Sequence, residues 1–318
     1  MKNICIIRDD RLGDTILTLP ILKKIKIEHP NTRITLIIAK ISKDLMGMIN
    51  FVDNYLVYKK SLEFLYELNK THFDLLINFS PLKNRNFKLL IQAKRKVNVT
   101  YLSRYKDNNN INFIKKSFYE LFFDYNYIFQ RNDIDKLDHH TIMMNQVLIG
   151  EGFSTNLPPK ISLTHDAKNK YDILVHLSNR WLNKEYLVDD LINLIQKLYK
   201  INPNIIFTTE LSVDNNIKLA IDSIKLINNF EIYFQPNFIE WALLISQSKN
   251  IITPECGCSH ISGLFNKNTV IVYDKNNKPD FIKKEYSPYM ATNIRKLNSN
   301  KGPDLNNKII KSIQELQR

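Results

Sequence analysis

Residues 3–28 read NICIIRDDRLGDTILTLPILKKIKIE, and this stretch decides the fold class. Asn3–Arg8 is an almost unbroken apolar run, which suits a strand buried on both faces of a parallel sheet. The run breaks at Asp9-Asp10-Arg11, and the spacing over Leu19–Glu28 is helical. Strand, short loop and helix make the first half of a βα repeat. The same alternation continues through Arg33–Ala39, Tyr55–Tyr58, Phe73–Phe79 and Lys96–Tyr101 as strands. Helical spacing is found over Phe87–Ala93, near 113–124 and near 139–149.

Gly150–Pro159 (GEGFSTNLPP) concentrates turn formers and marks a boundary, after which the alternation restarts. The second series has strands at Asp172–Leu177, Asn204–Thr209, Glu231–Phe234, Asn250–Thr253 and Thr269–Tyr273. Its helices are Glu185–Tyr199, Val213–Ile224, Phe238–Ser246 and Ile309–Leu316. Two βα series predict an α/β protein of two doubly wound, Rossmann-like domains facing across a cleft, residues 1–155 and 156–318. A chain of 318 residues suits two such domains of about 150 each. The final helix is placed where it can pack back on the first domain. Ligands of such sheets bind beyond the carboxyl ends of strands, so the loops after strands are where function is sought.

Composition narrows the class. No run of 18 apolar residues is present, and acidic residues interrupt the N-terminal apolar stretch early, so neither a membrane span nor a signal peptide is expected. Three cysteines make no disulfide framework and agree with a cytoplasmic protein. Cys256, Cys258 and His260 lie close in sequence, but zinc takes about four ligands and no second cluster accompanies them, so no metal site is expected. The net charge is +13, and residues 1–160 carry 25 Lys/Arg against 16 Asp/Glu. That basic half attracts polyanions such as anionic lipid or a phosphorylated glycolipid. The charges are scattered, without clustered basic and aromatic residues on one face, so no nucleic acid partner is expected.

Only seven glycines occur, and none forms a dinucleotide or P-loop fingerprint, so their positions carry weight. Gly13 follows the first strand, where it allows a sharp turn or close approach to a ligand. Asp14 beside it either caps the following helix or serves as a catalytic carboxylate, and spacing alone leaves both open. Gly257 stands where a helix should begin after the strand ending at Thr253, and free N–H groups at such an end bind phosphate. His260 is either a donor to diphosphate or ribose, or a histidine packed on the first turn. Glu255 accepts hydrogen bonds only, which suits ribose hydroxyls and not phosphate.

Four stretches resemble the lipopolysaccharide heptosyltransferases, glycosyltransferase family nine, in family order and at family-like spacing. They are RDDRLGDTILTLPILKKIKIEHPNTRITLI (8–37), THFDLLINFS (71–80), SNRWLNKEYLVDDL (178–191) and ITPECGCSHISGLFNKNTVIVYD (252–274). The resemblance implies a GT-B-type fold and an inverting, metal-independent transfer of a sugar, heptose from ADP-heptose first, onto a lipopolysaccharide core acceptor. It needs no cofactor beyond the nucleotide-sugar substrate. It implies that Asp14 is the general base, with Arg11 and Gly13 supporting its loop. Donor contacts fall to Arg180, Trp181, Glu210, Glu255, Cys256, Gly257 and His260. Glu255 stands in place of the family's Asp, and Cys256 in place of its Ser or Thr. A phosphorylated glycolipid acceptor implies peripheral contact with an anionic membrane surface. A non-catalytic nucleotide- or glycan-binding module on the same scaffold is the alternative, since a fold does not fix a function.

Overall fold

A computed structural model describes residues 3–81, 86–105, 120–163, 168–210, 212–227, 230–234 and 236–317. The chain divides into two units, Met1–Ile161 and Ser162–Arg318, so the division falls slightly after the turn-rich segment.

In the first unit the strands are β1 (Asn3–Arg8), β2 (Arg33–Ile38), β3 (Asn54–Val57), β4 (Phe73–Asn78), β5 (Ala93–Tyr101) and β6 (Tyr125–Phe129). They form one parallel sheet in the order β3-β2-β1-β4-β5-β6. Its described helices are α1 (Leu12–Glu28), α2 (Leu62–Asn69) and α3 (His140–Gly150). The second unit repeats the plan with β7 (Tyr171–Leu177), β8 (Ile205–Thr209), β9 (Glu231–Tyr233), β10 (Ser248–Pro254), β11 (Asn268–Tyr273) and β12 (Ile294–Asn298). Its sheet is also parallel, in the order β12-β11-β10-β7-β8-β9. Its helices are α4 (Val188–Ile201), α5 (Asn215–Ile227), α6 (Phe238–Ser246), α7 (Gly257–Leu264), α8 (Pro279–Tyr286) and α9 (Gly302–Leu316). Renumbered from its own first strand, each sheet runs 3-2-1-4-5-6, the Rossmann order.

The apolar runs explain the central strands. Ile4–Ile7, Leu75–Ile77 and Ile251–Ile252 are fully buried, as a parallel sheet covered on both faces requires. The second core joins strand residues such as Val175 and Phe207 to Leu191, Leu194 and Leu198 of α4 and Ile217, Ile221 and Ile224 of α5. Leu305, Ile309 and Ile313 of α9 belong to the same core. The C-terminal helix therefore packs on the core of the second unit.

The helix α1 begins at Leu12, seven residues before the helical spacing became legible. It is buried on nearly all sides, from Thr15 through Leu22, so it shows no polar stripe to mark its start. The segment expected to be helical at Phe87–Ala93 is one turn of 3-10 helix, Asn86–Leu90, with β5 beginning at Ala93. The helix expected near 113–124 lies largely outside the described residues. Strands β6 and β12 went unread because polar residues such as Asn126, Arg295 and Lys296, which a sheet edge tolerates, interrupt their apolar pattern, whereas the edge strands β3 and β9 keep short apolar runs.

Candidate functional site

The strand order of each sheet reverses between two neighbouring strands, β1 and β4 in the first unit and β7 and β10 in the second. Crossovers leave such a pair in opposite directions, so the loops beyond the two strands part and leave a crevice. The sequence-predicted residues cluster in these loops. Arg11, Gly13 and Asp14 follow β1, Arg180 and Trp181 follow β7, and Glu255 to His260 follow β10. Glu210 follows β8, next to β7.

In the first unit the centre is a residue the sequence reading passed over. Arg8 ends β1 and is 1% exposed. Its Nη1 donates to the Phe79 carbonyl beyond β4 at 2.6 Å, and its Nη2 donates to Asp14 Oδ1 at 2.8 Å. Nη2 also lies 2.7 Å from His140 Nε2, at the start of α3. A guanidinium can only donate, so the imidazole accepts at Nε2. Arg8 Nε lies 3.3 Å from Asp10 Oδ1. Burial pushes the Asp10 carboxyl up to about 6; Arg8 opposes the rise and the charges of Asp14 and Asp9 add to it. Asp9 and Lys88 form a buried ion pair, and the Asp9 N–H donates to Ser80 Oγ at 2.8 Å. The loops after β1 and β4 are thus tied together by buried charges.

Asp14 occupies the third position of α1, and its side chain is 15% exposed. The residue at the helix cap is Arg11, which makes no side-chain capping bond. Arg11 is exposed, and its carbonyl accepts the N–H of Thr15 at 3.1 Å. Its support of the loop is therefore through backbone only. Gly13 sits in the first helical turn; among the described glycines only Gly152 has a positive φ, so no sharp turn is made at Gly13 or at Gly257.

In the second unit, Ser178 caps a short 3-10 turn, Asn179–Trp181, accepting the Arg180 N–H at 3.2 Å. Glu210 Oε1 accepts the Asn179 N–H at 2.6 Å, so this carboxylate holds the loop in place. Arg180 is partly exposed and turns to Glu255, donating through Nη1 to its carboxylate at 2.6 Å and also to its backbone carbonyl. Trp181 is not placed as the expected donor contact. It is buried in the core, and its indole N–H donates to the His176 carbonyl at 2.7 Å. His176 itself is buried beside Thr208, and burial drives its pKa down to about 3, so it remains neutral.

Cys256 is the cap residue of α7, extended and without a side-chain capping bond. Its thiol lies 3.4 Å from Thr253 Oγ1 and is pushed up chiefly by burial. Gly257 is the first helical residue, and His260 is buried within the same short helix. Among the described residues no group of three His, Cys, Asp or Glu is arranged to hold a metal. No described helix is long and apolar enough to cross a membrane.

No protein-family model and no curated protein matches the sequence. Solved structures do match over the whole length. E. coli heptosyltransferase WaaC with ADP superposes with a TM-score of 0.74 at 14% identity, over 99% of both chains. A glycosyl transferase family 9 protein from Veillonella parvula gives 0.74 at 16% identity, over 99% of this chain and 97% of its own. E. coli ADP-heptose lps heptosyltransferase II gives 0.72 at 11% identity, over 100% of both. At such identities the likeness is one of fold: two Rossmann-like α/β units in one chain, built as in these heptosyltransferases and the family 9 glycosyl transferase.

Proposed function

We propose that the chain is an inverting, metal-independent glycosyltransferase that moves a sugar from a nucleotide donor, ADP-heptose first, to a lipopolysaccharide core acceptor. The observation that carries this reading is the coincidence of three things. They are the whole-length fold likeness, a carboxylate after β1, and a basic residue and helix start after β7 and β10.

In such a transfer the acceptor hydroxyl loses its proton as its oxygen attacks the anomeric carbon, and the nucleoside diphosphate departs with the bonding electron pair. Asp14 is assigned the proton. Its carboxylate is oriented by Arg8 and remains partly exposed, as a base must be. The leaving diphosphate needs positive charge or N–H donors. Arg180, the amino end of α7 at Gly257 and His260 are assigned that role, which leaves no step that requires a metal ion. Arg180 is engaged by Glu255, so a diphosphate that binds Arg180 replaces a carboxylate as its partner. Trp181 and Glu210 serve the donor loop by packing it and by holding its backbone. The basic first half favours a phosphorylated, membrane-embedded glycolipid acceptor, with peripheral contact at an anionic membrane surface.

Thermal shift against a panel of nucleotide sugars tests the donor. A ligand that binds only the native state stabilises it by about 2.7 kcal/mol at a hundredfold excess over Kd. ADP-heptose should raise Tm more than UDP- or GDP-sugars. Turnover with Asp14→Asn tests the base: the rate should fall by about two to four orders of magnitude while ADP binding persists. Unimpaired turnover in that variant returns Asp14 to helix-terminus duty. Donor binding without any turnover in the parent protein would favour the binding-module alternative.

A further inference from the structure

The proposed base does not face its arginine alone. Arg8 is buried at the end of β1 and pinned from two sides, by the Phe79 carbonyl after β4 and by His140 at the start of α3. From that fixed position one guanidinium meets two carboxylates, Asp14 in the first turn of α1 through Nη2 and Asp10 in the loop before it through Nε. Both carboxylates keep some access to solvent, 15% for Asp14 and 23% for Asp10, whereas Asp9 is sealed in its pair with Lys88. One positive charge thus serves two partly accessible negative charges.

We infer that Asp10 is a positioning residue for the transfer, which sets the proton affinity of Asp14 by competing with it for Arg8. The inference rests on the reading of Asp14 as base. When Asp10 is neutral, Arg8 gives its full charge to Asp14 and makes that carboxylate a weaker base. When Asp10 is ionised, the guanidinium is divided and a second negative charge stands nearby, so Asp14 gains basicity. Among the described residues the charged groups acting on Asp10 are Arg8, Asp14 and Asp9, and Lys88 pairs with the last of these. His140 meets Arg8 as an acceptor and adds no positive charge through that contact. Burial raises the Asp10 carboxyl to about 6, so its change of state falls above the ordinary carboxylate range.

Two measurements test this. The first needs no substrate: carbon-13 NMR of the aspartate carboxyls in the ligand-free protein. The Asp10 signal should titrate with a midpoint near 6. Asp14→Asn removes a like charge and should lower that midpoint by about one pH unit. A midpoint in the ordinary carboxylate range, or one unmoved by Asp14→Asn, overturns the inference, and this result stands whatever reaction the protein performs. The second is the pH profile of turnover with ADP-heptose. The parent rate should climb through pH 6, whereas Asp10→Asn should stay flat at the lower level. The two should agree near pH 5 and differ by about three- to tenfold at pH 8, the scale on which a modest change in base strength alters a rate. An Asp10→Asn variant that retains the parent's rise overturns the inference while leaving Asp14 as base. If instead Asp14→Asn keeps full turnover, the base reading fails, and the NMR titration still decides whether the carboxylates are linked through Arg8.

Discussion

Replacing Arg180 with alanine should weaken ADP binding by about 5- to 100-fold, from a charged hydrogen bond worth about 1.5–3 kcal/mol less the pair it replaces. The replaced pair is the one to Glu255, at 2.6 Å between side chains that are 44% and 24% exposed. Pairs so open to solvent contribute about 0–1 kcal/mol, so the diphosphate wins the competition, but by less than the whole strength of its own bond. The companion variant follows from the same arithmetic. Glu255→Gln frees Arg180 and removes a negative charge that repels phosphate, so ADP should bind up to about fivefold more tightly. Isothermal titration of ADP into the parent, both single variants and the double variant measures each term. In the double variant the part of that benefit that comes from freeing Arg180 should vanish, leaving only the relief of repulsion between Glu255 and phosphate. The gap between the parent and Arg180→Ala should also narrow at high salt, where exposed charges are screened. If Arg180→Ala binds ADP like the parent, Arg180 is a loop residue that merely pairs with Glu255, and the donor-phosphate assignment fails.

Other outcomes follow from groups already described. Lys24 is buried in α1 and donates to Asn145 Oδ1 at 2.6 Å and to the Ser154 and Asn156 carbonyls at 2.7 Å each. Lys24→Met should cost about 2–4 kcal/mol in denaturant unfolding, since buried acceptors are left unmet; a loss below about 0.5 kcal/mol would mean that water replaces the ammonium easily. Asp10, raised to about 6, holds its proton more tightly folded than unfolded. Its effect on stability is therefore a loss as pH rises from about 4 to 6, about 3 kcal/mol at most, level above that. Asp10→Asn should remove that slope in pH-resolved melts, and an unchanged slope would assign it to other groups. Under the proposed mechanism, in which Arg180 and the start of α7 supply the leaving-group charge, EDTA should leave turnover intact. Activity lost on chelation and restored by a divalent ion would refute the metal-free mechanism.

Much of the architecture was legible in the sequence because its signals are local. Unbroken apolar runs such as ICII and LLIN mark strands buried on both faces, and a turn-rich segment near 150–159 marks the division between the two series. From such runs the two βα series could be read, together with the loops after β1, β7 and β10 that hold the candidate residues. The start of helix α1 resisted because burial on nearly all sides erases the periodicity that reveals a helix. Strands β6 and β12 resisted because polar residues interrupt their apolar pattern, which an edge position tolerates. What only the tertiary structure decided is which side chains meet. Arg8 reaches His140 across 132 positions, and Arg180 reaches Glu255 across 75. Trp181, which the family resemblance assigned to the donor, turns into the core, and Glu210 turns to hold a backbone amide. Sequence spacing fixes the loop on which a residue lies. The direction of its side chain depends on partners brought together by the sheet order, and no local pattern of residues records that order.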